Sequence, residues 1–191
     1  VAIPSKNAVG GCELLVARQE GMLTFVSVSR LVGWKRVERC LDLFKAIMDS
    51  YGGEAEYWIL GDGEERSELE GRACDLGLKN RVKFLGAVKQ SDVFGLLGQA
   101  DVFLSMYDHS NVGNPLFEAM RLNKLIVTLD KGDTNLWIKH GVNGFIYNPN
   151  NLKFNQVADD VLAVLSNAEK HAKILHNLKL TADKRLWTWD E

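Results

Sequence analysis

Leu23-Thr24-Phe25-Val26-Ser27-Val28-Ser29-Arg30-Leu31-Val32-Gly33-Trp34-Lys35 runs from an apolar, β-rich stretch into a polar turn that holds a glycine and two cations. Leu23 to Ser29 predicts a buried strand. The segment that follows, Lys35 to Ser50, places Val37, Cys40, Leu41, Phe44, Ile47 and Met48 at helical spacing. A buried strand, a polar turn and an amphipathic helix form the repeating unit of a parallel α/β sheet.

The same alternation continues outward. Ala55 to Leu60 is a second strand closed by Gly61-Asp62-Gly63, and Glu64 to Leu76 is a charged, exposed helix ending at Gly77. Arg81 to Leu85 predicts a third strand, Ser91 to Gln99 a short helix capped by Ser91, and Asp101 to Met106 a fourth strand. Pro115 to Leu122 is a helix with proline in its first turn, where a missing N–H costs little. Leu125 to Leu129 is a fifth strand, Asp133 to Lys139 a short helix, and Gly144 to Tyr147 a sixth strand. Asn155 to Trp189 reads as two helices. The expected fold is α/β: a Rossmann-like parallel sheet of about six strands with helices on both faces. Ligands on such sheets bind beyond the carboxyl ends of the strands, where strand order reverses. The loops after the strands are therefore where chemistry is expected.

With 191 residues, 46% apolar and 25% charged, the chain is sized and composed for one sizeable α/β domain. A formal net charge of −2 supplies no basic field for nucleic acid, so phosphate chemistry must rest on a few local cations. Cys12, Cys40 and Cys74 show no metal or disulfide spacing, and Cys40 and Cys74 are expected as buried thiols inside helices. His109, His140, His171 and His176 are scattered, so no metal site is expected. The cysteine usage fits a reducing, cytoplasmic setting. No apolar run approaches the roughly 18 residues of a membrane span. Residues 1–21 read as an irregular linker, and the start at Val1 leads to the expectation of a longer protein with a missing N-terminal part.

Four segments carry candidate chemistry. Arg30 and Lys35 stand at the mouth of the first strand, where a planar guanidinium and a compact ammonium can meet one diphosphate. On spacing alone they read equally as ordinary surface cations. Cations at a helix start oppose the macrodipole, which favours a functional reason. Asp108 to Met120 joins a strand to a helix through Ser110, Asn111, Gly113 and Asn114, whose amides suit a phosphate or a sugar hydroxyl. Glu118 lies in an otherwise apolar helix and needs a partner: a ribose diol is one answer, the dipole of the helix start another. Gly61 lets either a ligand or the protein's own backbone come close. Gly86, Ala87 and Val88 offer a small-residue loop to a planar base. There is no GxGxxG and no GxxxxGK[ST] loop, which argues against a P-loop NTPase.

Taken in order, these segments resemble the C-terminal, donor-binding domain of the retaining glycosyltransferases called group 1, or family 4, which have the two-domain GT-B architecture. The residues that carry the resemblance are Phe25 to Leu31 with Lys35, Trp58 to Gly63, Val82 to Gly86, Ala100 to Ser105, Glu118 to Met120 and Gly141 to Phe145. The likeness covers residues 22–189. It implies that Arg30 and Lys35 neutralise the donor diphosphate as the leaving group departs, in place of a metal ion or other cofactor. Glu118 would hold the ribose, as the second acid of the family's E-x7-E motif. Gly113 and Asn114 would face phosphate and sugar, and Gly86 to Val88 the base. The implied donor is a UDP- or GDP-linked sugar, and the implied reaction is its retaining transfer to a hydroxyl acceptor.

The first acid of E-x7-E would fall at position 110, where this chain has Ser110, which puts the sugar contacts in question. The family's acceptor-binding N-terminal domain is expected as a missing partner. A lipid or polysaccharide acceptor would bring the full-length enzyme to the inner face of a membrane, and nucleic acid is not an expected partner. Arg185 to Trp189 resembles the family's crossover helix, which packs back onto that missing half. The Gly132-Asp133-Thr134 turn offers a further place for sugar or phosphate. Two other readings stay open: a non-catalytic nucleotide-sugar-binding domain, for which Ser110 is the feature, and a GT-B sugar epimerase.

Overall fold

β1 (Leu23–Val28) is central: its residues are mostly apolar, and both of its sides are covered. The computed structural model describes Gln19 and residues 21–186. Most of the expected linker and the Trp187 and Trp189 end of the last helix lie outside the described residues. Around β1 stand β2 (Ala55–Leu60), β3 (Val82–Gly86), β4 (Val102–Ser105), β5 (Leu125–Leu129) and β6 (Phe145–Tyr147). All pairings are parallel, in the order β3-β2-β1-β4-β5-β6. This is the expected Rossmann-like sheet. Strand order reverses between β1 and β4, so the loops leaving these two strands define the switch point.

Alternate strand residues serve opposite faces. Phe25, Tyr57, Ile59, Leu104 and Val127 pack under α1 (Val37–Ser50), α2 (Arg66–Asp75) and α6 (Phe154–Leu165). Phe25 meets Phe44 of α1 edge-on, with ring centres 5.4 Å apart. Val26, Trp58, Leu60, Phe103 and Ile126 pack under α3 (Gln90–Gln99), α4 (Asn114–Arg121) and α7 (Ala168–Arg185). A short helix, α5 (Thr134–Trp137), links β5 towards β6. No helix among the described residues is long and apolar enough to cross a membrane.

Three local expectations change. Lys35 does not open α1: it closes a 3-10 turn, Gly33–Lys35, and Arg36 in the left-handed region (φ 51°) separates that turn from the helix. Lys35 thus stands just outside the helix, and Arg36, another cation, holds its cap position. Ser91 does not cap α3, because Lys89 holds the cap position and the Ser91 hydroxyl donates to Asp92 at 3.0 Å. Cys74 is exposed, because α2 turns only Leu69 and Ala73 inward. Cys40 is buried as expected, and burial pushes its thiol up to about 12.

Candidate functional site

The carboxyl ends of β1, β2 and β3 are strapped together by backbone. Ser29 N–H donates to the Leu60 carbonyl at 3.0 Å, and Gly61 N–H to the Gly86 carbonyl at 2.8 Å. Gly61 has φ +140°, and a Cβ there would stand 1.7 Å from the Ser29 carbonyl oxygen. The close approach that Gly61 permits is therefore made by the protein's own backbone. Leu31 is buried beneath the turn, and its N–H donates to the Asp62 carbonyl at 2.9 Å. This frame lifts Arg30 clear of the sheet and returns the chain at Lys35.

A cavity of about 430 Å³ opens above the frame. Arg30, Trp34 and Lys35 line it on the β1 side, and Gly61, Ala87, Val88 and Gln90 on the β2 and β3 side. The Lys35 ammonium lies over two ring faces, 4.1 Å from the centre of Trp34 and 3.7 Å from that of Tyr107. Burial, and then the charge of Arg30, lower its pKa to about 8. No carboxylate pairs with Arg30 or Lys35 among the described residues.

The loop leaving β4 supplies the other half of the switch point. Asp108 N–H donates to the Trp34 carbonyl at 3.0 Å, tying the two loops together. The Asp108 carboxylate pairs with Arg39 at 2.8 Å. The Asn111 side chain is 3% exposed and engaged within the protein. Its oxygen accepts from Tyr107 N–H at 2.9 Å, and its amide nitrogen donates to the Leu129 carbonyl at 3.2 Å. The Ser110 hydroxyl donates to the Asp133 carboxylate and accepts from Val112 N–H at 3.1 Å. Gly132 makes room for this contact: a Cβ there would stand 2.8 Å from the Ser110 Cβ.

Gly113 is extended and precedes α4, whose start has Pro115 and no side-chain cap. The first-turn amides of α4 are thus left without a capping side chain. Glu118 lies further along α4 and is 3% exposed. Its Oε1 accepts from Gln90 Nε2 at 2.7 Å, and its Oε2 is buried with no partner. Burial raises the Glu118 carboxyl above the usual carboxylate range, against the opposing effect of Gln90. A half-satisfied buried carboxylate is an expensive arrangement unless something completes it.

Five residues singled out from sequence, Arg30, Lys35, Gly61, Ala87 and Val88, line one cavity. Glu118 joins them through Gln90, which also lines it. Gly86 sits behind, at φ +70°. Ser110, Asn111, Gly113 and Asn114 do not line the cavity; they form the run from β4 into α4, whose Pro115 does. Sequence reading missed Trp34, Tyr107, Gln90 and the Ser110–Asp133 contact. The proximity of Trp34 to Lys35 in sequence was a signal for the first; the other three depend on tertiary folding. Among the described residues no three His, Cys, Asp or Glu side chains are grouped to hold a metal ion.

A switch-point cavity with two unpaired cations and a half-satisfied acid suits a ligand that is anionic at one end and hydroxyl-bearing at the other. The chain is 30% identical over 175 residues, 92% of its length, to an uncharacterized glycosyltransferase of Methanocaldococcus jannaschii, and spans 43% of that protein. It superposes on Anabaena Alr3699/HepE, solved in complex with UDP and glucose, with a TM-score of 0.75 and 26% identity, covering 86% of this chain and 44% of that one. The C-terminal domain of the group 1 family protein LpcC from Francisella tularensis has the same fold: TM-score 0.74, 18% identity, 85% of each chain covered. The chain spans between 26% and 43% of the length of the first curated relatives it matches. The family model for glycosyl transferases group 1 matches residues 16–180, and the chain belongs to that family.

Proposed function

We propose that this chain is the donor-binding half of a retaining glycosyltransferase and holds a nucleotide-diphosphate sugar at the switch point. The observation that carries the reading is the pair Arg30 and Lys35 on one cavity without carboxylate partners. Arg30 and Lys35 bind the diphosphate and neutralise the charge that develops on its outer phosphate as the bond to the sugar breaks. Preorganised cations do this without reorganisation at the moment of reaction. The uncapped first-turn amides of α4, at Gly113 and Asn114, add donors to the same anion.

Glu118 takes the ribose. Its free Oε2 accepts from a diol hydroxyl, and its Oε1 is held by Gln90. The base lies against Gly86, Ala87 and Val88. Ser110 stands where the family's first acid is expected, and its hydroxyl holds the Asp133 carboxylate. An acid from the loop after β5 thus stands against the loop after β4, outside the lining of the cavity. The partner domain binds the acceptor whose hydroxyl takes the sugar, and a membrane-bound acceptor would recruit the full-length enzyme to the membrane surface.

The test is calorimetric titration of the chain with UDP, GDP, ADP and uridine, first without divalent metal and then with Mg²⁺. HepE, solved with UDP and glucose, makes UDP the first nucleotide to try. Saturable binding of one nucleoside diphosphate without metal, at least about tenfold tighter than its nucleoside, is the expected result. Equal affinity for UDP and uridine overturns the diphosphate assignment.

A further inference from the structure

Lys35 is held in an unusual way. A lysine on a loop end carries about 2 kcal/mol of rotamer entropy, which must be lost before the ammonium meets an anion. Two other lysines are fixed by carboxylates, Lys45 by Asp49 and Lys83 by Glu56. A carboxylate at Lys35 would also fix it, but it would neutralise the charge and compete with an incoming anion. Aromatic faces attract an ammonium without cancelling its charge. The two ring centres at 4.1 and 3.7 Å lie well inside the roughly 6 Å range of that attraction.

The rings themselves are fixed from both loops of the switch point. The Tyr107 hydroxyl donates to the Val28 carbonyl at 3.1 Å, and its backbone N–H donates to Asn111 at 2.9 Å. Trp34 meets Tyr107 edge-on, with ring centres 6.1 Å apart, and His109 at 5.6 Å. Trp34 is 38% exposed, so it is not a core residue. It lines the cavity that holds Lys35 and also borders a second cavity, of about 350 Å³, lined by Glu38, Glu65, Glu68 and Asp108. The indole therefore borders both the cavity of the ammonium and one whose acids include Glu65 and Glu68; in the latter Arg36 already pairs with Glu38 at 2.8 Å and Arg39 with Asp108 at 2.8 Å.

We propose that Trp34 and Tyr107 are positioning residues: they clamp the Lys35 ammonium at the cavity mouth, aimed at a diphosphate, and Trp34 keeps it from the acids behind. This rests on the reading of Arg30 and Lys35 as the diphosphate-binding pair. The charged and titratable groups around the ammonium are Arg30 and Arg36 on its own loop, Asp62 after β2, Tyr107, Asp108 and His109 after β4, and Glu38, Arg39, Glu65 and Glu68 beyond the indole. Burial is the larger reason that Lys35 sits at about 8, so opening the wall to water moves it back towards the ordinary lysine range.

The experiment measures the ratio of UDP to uridine affinity from about pH 7 to about pH 10 for the wild-type chain, Trp34→Leu and Trp34→Phe, with urea unfolding to confirm that each is folded. In the wild type the ratio favours UDP and falls as pH rises through the Lys35 range. Trp34→Leu is expected to lower the neutral-pH ratio about three- to tenfold and to move the fall to higher pH, while Trp34→Phe retains both properties. A Trp34→Leu ratio and profile identical to wild type overturns the clamp while leaving the diphosphate reading intact. Equal losses for UDP and uridine assign Trp34 a merely structural role and overturn it too. A wild-type ratio of one removes the diphosphate reading, and the clamp with it.

Discussion

The β3 edge of the sheet and the switch point treat charge in opposite ways. At the edge nearly every charge is answered. Arg66 holds Glu70 at 2.8 Å, Asp62 at 3.3 Å and the Phe84 carbonyl at 3.3 Å. Arg81 pairs with Glu54, Lys83 with the buried Glu56, and Arg72 with Asp42. At the switch point Arg30 has no partner among the described residues, Lys35 has only rings, and Glu118 has one bare oxygen. Folding alone explains these edge pairs, although the buried Glu56 keeps one bare oxygen there as Glu118 does. What sets the switch point apart is its cations, which meet no carboxylate among the described residues, beside an unsatisfied acid that costs about 1–3 kcal/mol. The difference separates groups kept for stability from groups kept for a ligand.

The strongest way to break the comparison is to damage the frame that both regions share. Gly61 joins β1 and β3 through β2, and any side chain there meets the Ser29 carbonyl oxygen. Gly61→Ala is expected to lower stability by about 3 kcal/mol or more, by strain at positive φ plus displacement of backbone. Urea unfolding measures it. A loss below about 0.5 kcal/mol would show that the frame is not rigid, and the positions built on it would lose their support.

Arg30→Ala separates the two regions more finely. UDP binding should fall about ten- to a hundredfold, the worth of a charge-assisted pair. Stability should stay within about 0.5 kcal/mol, because Arg30 is exposed and pairs with no carboxylate among the described residues. Removing its charge also relieves Lys35, so the alkaline loss of UDP affinity should move to higher pH. Nucleoside binding should be unchanged. A drop in stability with unchanged UDP affinity would place Arg30 with the structural arginines of the β3 edge.

Glu118→Gln is expected to act less strongly and with a characteristic sign. Burial raises the folded-state pKa of Glu118, so the folded protein binds that proton more tightly than the unfolded chain does. The resulting stability is present in acid and is lost as pH rises through the folded value. Glutamine removes that dependence: the variant should gain about 0.5–1 kcal/mol near neutral pH and nothing in acid. UDP should bind about five- to tenfold more weakly, and pyrophosphate as before. Equal weakening of pyrophosphate would break the ribose assignment.

The contrast was only partly legible in the sequence. LTFVSVS, AEYWIL and the helix Val37 to Ser50 announce themselves, because burial on both faces or on one stripe leaves a local pattern. Arg30 and Lys35 were visible because they leave a strand together, yet their lack of partners was not, since pairing depends on which distant acids the fold brings near. Gln90 and Asp133 were invisible as neighbours of Glu118 and Ser110 for the same reason. Asn111 shows the converse. Its type suits a ligand, and in the fold its side chain braces the β4 loop. The left-handed turn at Arg36 went unread because nothing local distinguishes it from a helix start.

The smallest effect is expected where the charges are best answered. Arg72 on α2 reaches Asp42 on α1 with Nη2–Oδ1 at 2.6 Å, Nη2–Oδ2 at 2.8 Å and Nε–Oδ1 at 3.1 Å. The pair lies at the surface, so water and salt screen it. Arg72→Ala should lower stability by about 0.5 kcal/mol at low salt and by less at high salt, with a similar coupling to Asp42→Ala in a double-mutant cycle. UDP affinity should not change. If Arg72→Ala weakened UDP as much as Arg30→Ala, charge neutralisation at the edge would be part of the ligand site, and the division between the two regions would fall. If stability alone moves, by this small amount, then the paired arginines serve the fold, and the unpaired one at the switch point is there for the ligand.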